Sequence, residues 1–229
     1  MCARARLPEE YSEIKAKLRF DARAPAPNFK PSWNIAPTQD VLVAVRDPAN
    51  GVRLPRLMRW GFIPSWARDP KPWSRTFNAR SETVETTTAF KDAWKAGRRC
   101  LVVTDGFYEW RKTDRQPFAI ARASDQLTVM AGLWETWISP AGETVRSCTI
   151  LTCPANELIA PLHDRMPVVL AEEDWPMWLG EMPASATELK ALLRPYPAHR
   201  MKLWPVAREV NNWRNDGPHL VEPIELENP

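Results

Sequence analysis

The chain opens Met1-Cys2, and a second residue this small predicts trimming of the initiator methionine, which makes residue 2 an N-terminal cysteine. A free α-amine and a thiol on one residue form a 1,2-aminothiol. Such a pair attacks an aldehyde first as an imine and then closes to a five-membered thiazolidine. An α-amine pKa of about 7.7 to 8 and a thiol pKa of about 8.5 leave usable unprotonated fractions of both at neutral pH. Closure is intramolecular and is favoured by an effective molarity on the order of 10⁵ M. Met-Cys alone is also what an ordinary disordered terminus looks like, so the chemistry needs partners elsewhere in the chain.

Two residues could move protons for it. His163, in Leu162-His163-Asp164-Arg165, carries an imidazole whose unperturbed pKa of about 6.5 suits acid or base work. A histidine before Asp-Arg also serves as a structural hydrogen-bonder. Glu109 sits in the otherwise apolar run Gly106-Phe107-Tyr108-Glu109-Trp110, where a carboxylate costs desolvation energy unless it is paired or used. An outward-facing strand position is the plainer reading. His199 and His219 have no assigned role. Cys100, Cys148 and Cys153 show neither C-x-x-C spacing nor histidine partners, and read as buried thiols in strands. Neither zinc, nor a disulfide, nor any cofactor is expected.

Tryptophan is the compositional outlier. There are 12, several beside Pro, Arg or Lys: Arg59-Trp60, Pro64-Ser65-Trp66, Lys71-Pro72-Trp73 and Trp110-Arg111-Lys112. Aromatic faces next to cations suit a single-stranded nucleic-acid groove, in which bases stack and phosphates meet charges. The competing reading is a core made irregular by 23 prolines. The net charge of +3 is too weak to decide between them.

The elements that must position these residues follow from pattern. With 229 residues, 44% of them hydrophobic, the chain suits one globular domain. Apolar or β-branched runs at 41–45, 52–58, 100–103, 107–110, 118–121, 127–134 and 145–152 predict strands. A helix is predicted over 9–19, with Tyr11, Ile14 and Leu18 on one face, and short helices over 89–95, 155–159, 172–179 and 186–193. The acidic run Glu172-Glu173-Asp174 suits a helix N-terminus. Residues 25–37 read as an extended, proline-rich loop, and the chain beyond Pro205 as an irregular tail whose side-chain amides lock it to the body. The class is α+β: a strongly curved or barrel-like, mainly antiparallel sheet decorated by short helices. No apolar run is long enough for a membrane helix and the start lacks a secretory pattern, so a soluble, cytoplasmic monomer is expected.

Read in order, the short segments resemble one family. They are Met1-Cys2-Ala3-Arg4, Trp33-Asn34-Ile35-Ala36-Pro37-Thr38, Arg59-Trp60-Gly61-Phe62-Ile63-Pro64-Ser65-Trp66 and Phe77-Asn78-Ala79-Arg80-Ser81-Glu82-Thr83. Arg99-Cys100-Leu101, the Gly106–Trp110 run, Leu162-His163-Asp164-Arg165-Met166-Pro167-Val168, and Val210-Asn211 with Asn215-Asp216 complete the set. These blocks resemble the SOS-response-associated peptidase (SRAP) family of abasic-site sensors, from residue 2 to about 223, leaving 224–229 as a terminal tail. The family usually begins Met-Cys-Gly-Arg, and this chain carries Ala3 instead.

The resemblance implies a sensor of abasic sites in single-stranded DNA, nucleoid-associated when bound, that links itself to the lesion through Cys2 and shields it. It implies Glu109 beside the Cys2 amine as proton acceptor, His163 assisting opening of the sugar, and Asn78 orienting the sugar or the new ring. Arg4, Arg80 and Arg165 are implied phosphate contacts, and Pro37, Trp60 and Trp66 wedges or stacking surfaces. Other readings stay open: a thiol peptidase with Cys2 as nucleophile, a non-covalent single-strand binder, and a lyase in which the imine cleaves the strand.

Overall fold

The computed structural model describes residues 2–226; Met1, whose removal the sequence predicts, and residues 227–229 lie outside the described residues. The first half of the chain forms β1 (Ala5–Leu7), α1 (Tyr11–Leu18), β2 (Ser32–Ile35), β3 (Asp40–Arg46), β4 (Arg53–Trp60), β5 (Asn78–Arg80), α2 (Lys91–Lys95), β6 (Arg99–Val102) and β7 (Gly106–Trp110). The second half forms β8 (Pro117–Arg122), β9 (Met130–Ile138), β10 (Thr144–Pro154), β11 (Arg165–Pro167), α3 (Trp175–Leu179), α4 (Ala186–Ala191) and β12 (Met201–Pro205).

Five strands close on themselves. They run β10-β4-β3-β6-β9, and β9 pairs back onto β10, so the curved sheet expected from sequence is a barrel of mixed direction. Its one parallel contact is β4 with β10, at Ser147 opposite Arg59 and Cys148 opposite Trp60. Val41 to Val45 are all buried, as an uninterrupted apolar run requires of a strand covered on both faces. Closure also needs Gly132. A Cβ there would lie 2.8 Å from Cys100 Sγ and 2.9 Å from the Thr149 carbonyl oxygen, contacts that only glycine avoids.

A second, antiparallel sheet runs β12-β8-β7-β1-β2. In it Ala5 faces Phe107 and Arg6 faces Gly106, and the Tyr108 amide donates to the Arg4 carbonyl at 3.0 Å. This register carries the start of the chain alongside Glu109 and Trp110. β10 is the other organising strand. Beyond its barrel contacts it pairs with β5, setting Ile150 opposite Asn78, and with β11, setting Pro154 opposite Arg165.

Most predicted strands stand within a few residues of their expected places, and α1, α2 and α4 fall inside predicted helices. Residues 172–179 begin as a 3₁₀ turn over Glu172–Asp174 before α3, so the acidic run does precede an α-helix. The helix predicted over 155–159 is instead a series of turns. The Asn156 side chain accepts from the Ile159 amide at 3.0 Å, and Pro161 then bars helical continuation. β2 lies inside the stretch read as loop. Among the described residues no helix is long and apolar enough to cross a membrane.

Candidate active site

Cys2 is fully buried, and Asn78 Nδ2 donates to its backbone carbonyl at 2.7 Å. β5 delivers that side chain because it pairs with β10, while β1 delivers Cys2 because it pairs with β7. Asn78 Oδ1 is buried and has no hydrogen-bond partner among the described residues. An orphaned acceptor of this kind costs about 1 to 3 kcal/mol, and a hydroxyl or amine brought by a ligand would relieve it.

Burial first, and the charge of Glu109 second, push the Cys2 thiol up to about 12. Cys2 therefore holds its proton at neutral pH. Glu109 is buried, and its Oε1 accepts from the Trp110 amide at 3.2 Å. Its charge raises the pKa of Cys2 and of His163 alike, so the carboxylate lies within electrostatic reach of both the thiol and the imidazole. Glu109 and His163, with Trp110, Lys112 and Arg115, line a pocket of about 380 Å³.

His163 hangs from a turn fixed by Asn156, whose Nδ2 donates to the Tyr196 carbonyl at 2.7 Å, while the His163 amide donates to the Ile159 carbonyl at 3.0 Å. Sequence reading did not single out Asn156; a side-chain amide just after a strand was its only signal. His163 Nδ1 accepts from the Arg165 amide at 3.0 Å, which assigns the proton of the neutral ring to Nε2. The same Nδ1 lies 2.9 Å from Asp164 Oδ1, a contact that becomes a hydrogen bond only when the ring is protonated. Burial lowers the His163 pKa and outweighs the opposing pull of Glu109, so the neutral ring prevails at pH 7.

The residues expected to meet DNA divide by setting. Arg80, at the end of β5, is exposed and has no ion-pair partner among the described residues. Trp66 is 49% exposed and meets Trp73 edge-on with ring centroids 5.2 Å apart. Pro37 is half-buried in a tight turn in which Thr38 adopts φ 77° and the Gln39 amide donates to the Ala36 carbonyl at 3.2 Å. A β-branched residue in the left-handed region stores about 1 to 3 kcal/mol of strain.

The other three residues are committed to the protein itself. Trp60 is a core side chain with no exposure, its Nε1 donating to the Phe77 carbonyl at 2.8 Å, so it supports the site from beneath and offers no ring to a base. Arg165 pairs with both carboxylate oxygens of Glu82 at 2.6 and 2.9 Å. Arg4 Nη1 donates to Asn34 Oδ1 at 2.9 Å and to the Val210 carbonyl at 2.7 Å, tying the N-terminal segment to the C-terminal one. Asn34, which sequence analysis noted only as part of a motif, is the hub of that tie. Ala3, where the family carries glycine, is absent from the residues with positive φ and sits there without strain.

Among the described residues no three histidine, cysteine or acidic side chains converge as a metal site would require. The chain and its fold have clear relatives. The family model of the SOS response associated peptidase (SRAP) matches residues 1–213, so the chain belongs to the SRAP family. It is 38% identical to the abasic site processing protein YoqW of Bacillus subtilis, over 97% of this chain and 99% of that one. It is 34% identical to the abasic site processing protein HMCES of Xenopus tropicalis, over 86% of this chain and 68% of that one. A crystal structure of a protein from Bacteroides thetaiotaomicron superposes with a TM-score of 0.87 over 98% of this chain and all of that one, at 20% identity, a likeness of fold. One from Bordetella bronchiseptica gives a TM-score of 0.76 at 28% identity, over 90% of this chain and all of the other.

Proposed function

We propose that this chain processes abasic sites in single-stranded DNA by trapping the open-chain aldehyde of the lesion as a thiazolidine on Cys2, once Met1 is removed. The observation that carries this reading is the gathering of Asn78, Glu109 and His163 around one buried cysteine. The α-amine adds to the aldehyde carbon and its surplus proton passes to Glu109. Glu109 returns that proton to the departing oxygen, to which neutral His163 offers a hydrogen bond from Nε2, and loss of water leaves an imine. The thiol then adds to the imine carbon. A C–S bond forms, the thiol proton ends on nitrogen, and the sum is one aldehyde plus one aminothiol giving one ring and one water.

A thiol held up to about 12 suits this order, in which the amine attacks first and the thiol follows as a tethered partner. It suits a thiolate peptidase poorly. Asn78 Oδ1, unpartnered among the described residues, is available to a hydroxyl of the opened sugar. Arg80 and Trp66 supply an exposed charge and an exposed ring for flanking phosphate and base. Borohydride treatment of the mixture with abasic single-stranded DNA tests the product. An imine is reduced and gains two hydrogens in intact mass; the ring is not, and its mass stays at the sum of the partners less one water. Accumulation of the reduced species would assign the link to a lyase-type imine.

A further inference from the structure

The segment after β12 carries a large apolar side chain at the surface. Trp213 is 47% exposed, and the Arg214 guanidinium lies over its ring at 4.7 Å. The two occupy the tip of a tight turn in which the Asn215 amide donates to the Asn212 carbonyl at 3.0 Å. The base of this turn is anchored with unusual thoroughness. Buried Asn34 donates through Nδ2 to the carbonyls of Asn212 at 3.1 Å and Asn215 at 2.9 Å, and Asn215 Nδ2 donates to the Glu209 carbonyl at 2.9 Å. Asp216 accepts from the Trp33 amide at 2.6 Å. Two residues before the tip, the Asn211 side chain accepts from Trp110 Nε1 at 2.7 Å. Residue 110 itself lines the pocket shared by Glu109 and His163.

A rigid base and an exposed tip of one tryptophan and one arginine is how a binding surface is presented, because the ordering cost is met before a ligand arrives. Tryptophan loses little side-chain freedom on binding and offers a face that every base can stack on. We propose that Trp213 and Arg214 form a base-stacking platform for the strand that enters the Cys2 site. The proposal rests on the reading of that site as a single-strand site. Arg4 ties the two together: it stands two residues from Cys2 and bonds the Val210 carbonyl, three residues before Trp213, so the turn is anchored to the segment that carries the nucleophile. Exposed Arg208, whose guanidinium donates to the Asp114 and Arg115 carbonyls, adds positive charge to the same segment; Glu209, 3.4 Å from His219, and Asp216 are its acidic members.

The test is anisotropy of a labelled, lesion-free single-stranded oligonucleotide titrated with the full chain and with W213A, W213F and R214A. W213A is expected to weaken binding about five- to hundredfold, W213F to keep most of the affinity, and R214A to reduce the salt slope by about 1. Wild-type affinity in W213A would overturn the proposal. So would an unfolded W213A, since the ring would then be structural. The chemistry at Cys2 can fail separately: wild type that binds through Trp213 yet leaves abasic strands uncrosslinked would refute the thiazolidine and keep the platform.

Discussion

Among the described residues the Asn78 side chain makes one bond, to the carbonyl of Cys2, and leaves its other polar atom buried without a partner. This pairing of a fixed donor with a waiting acceptor is why we give it an orienting role. Asn78→Ala is expected to slow single-turnover crosslinking about ten- to hundredfold, the scale of a lost positioning contact, while leaving lesion-free DNA binding near wild type. His163 is open to a spectroscopic test. Burial lowers its pKa, and Asp164 and Glu109 pull the other way. Nitrogen NMR of the ring should show the Nε2-protonated tautomer at pH 7 and a midpoint below about 6.5. Asp164→Asn, which removes one of the groups favouring charge, should move that midpoint lower still; a rise would contradict the assignment.

At the scale of elements, the site is made by register. β1 against β7 brings residue 2 beside Glu109, and β10 against β5 and β11 brings Asn78 and the His163 turn to the same place. The C-terminal segment is clasped to this arrangement through Asn34, which accepts from Arg4 and donates to the carbonyls of Val210, Asn212 and Asn215. Removing it in Asn34→Ala strands several buried polar groups, and chemical denaturation should show a loss of about 2 to 4 kcal/mol. Loss below about 0.5 kcal/mol would mean that the segment holds by other contacts. The long strands and α1 were legible because their apolar runs or spacing are local signals. β1, β5 and β11 were not, since three residues carry no readable period and each strand is stabilised by partners distant in sequence. Motif resemblance named Trp60 with Trp66 in one block, but only packing separates them: Trp60 lies under the strand in the core and Trp66 on the surface.

At the scale of the whole molecule, the turn that joins β6 of the barrel to β7 of the second sheet holds one charged contact at their seam, with a measurable pH signature. Arg6 on β1 meets Asp105 at 3.1 Å, yet burial outweighs that attraction and raises the Asp105 carboxyl to about 6. A carboxyl raised above its unfolded value of about 3.9 binds protons better in the folded state, so its contribution to stability falls as pH rises from about 4 to about 6 and is level above that. Carbon NMR of the Asp105 carboxyl should give a midpoint near 6, and Asp105→Asn should lack this pH-dependent loss. A midpoint near 4 would contradict the seam as described.

The central claim is covalent capture by Cys2. The measurement that tests it most directly mixes the full chain, with loss of Met1 verified by intact mass, with a single-stranded oligonucleotide carrying one abasic site, on a denaturing gel beside Cys2→Ala. The account predicts a shifted band that reaches one protein per lesion, survives denaturation and is missing in the variant. An unshifted strand with the wild-type chain, or a band that persists in Cys2→Ala, would contradict it.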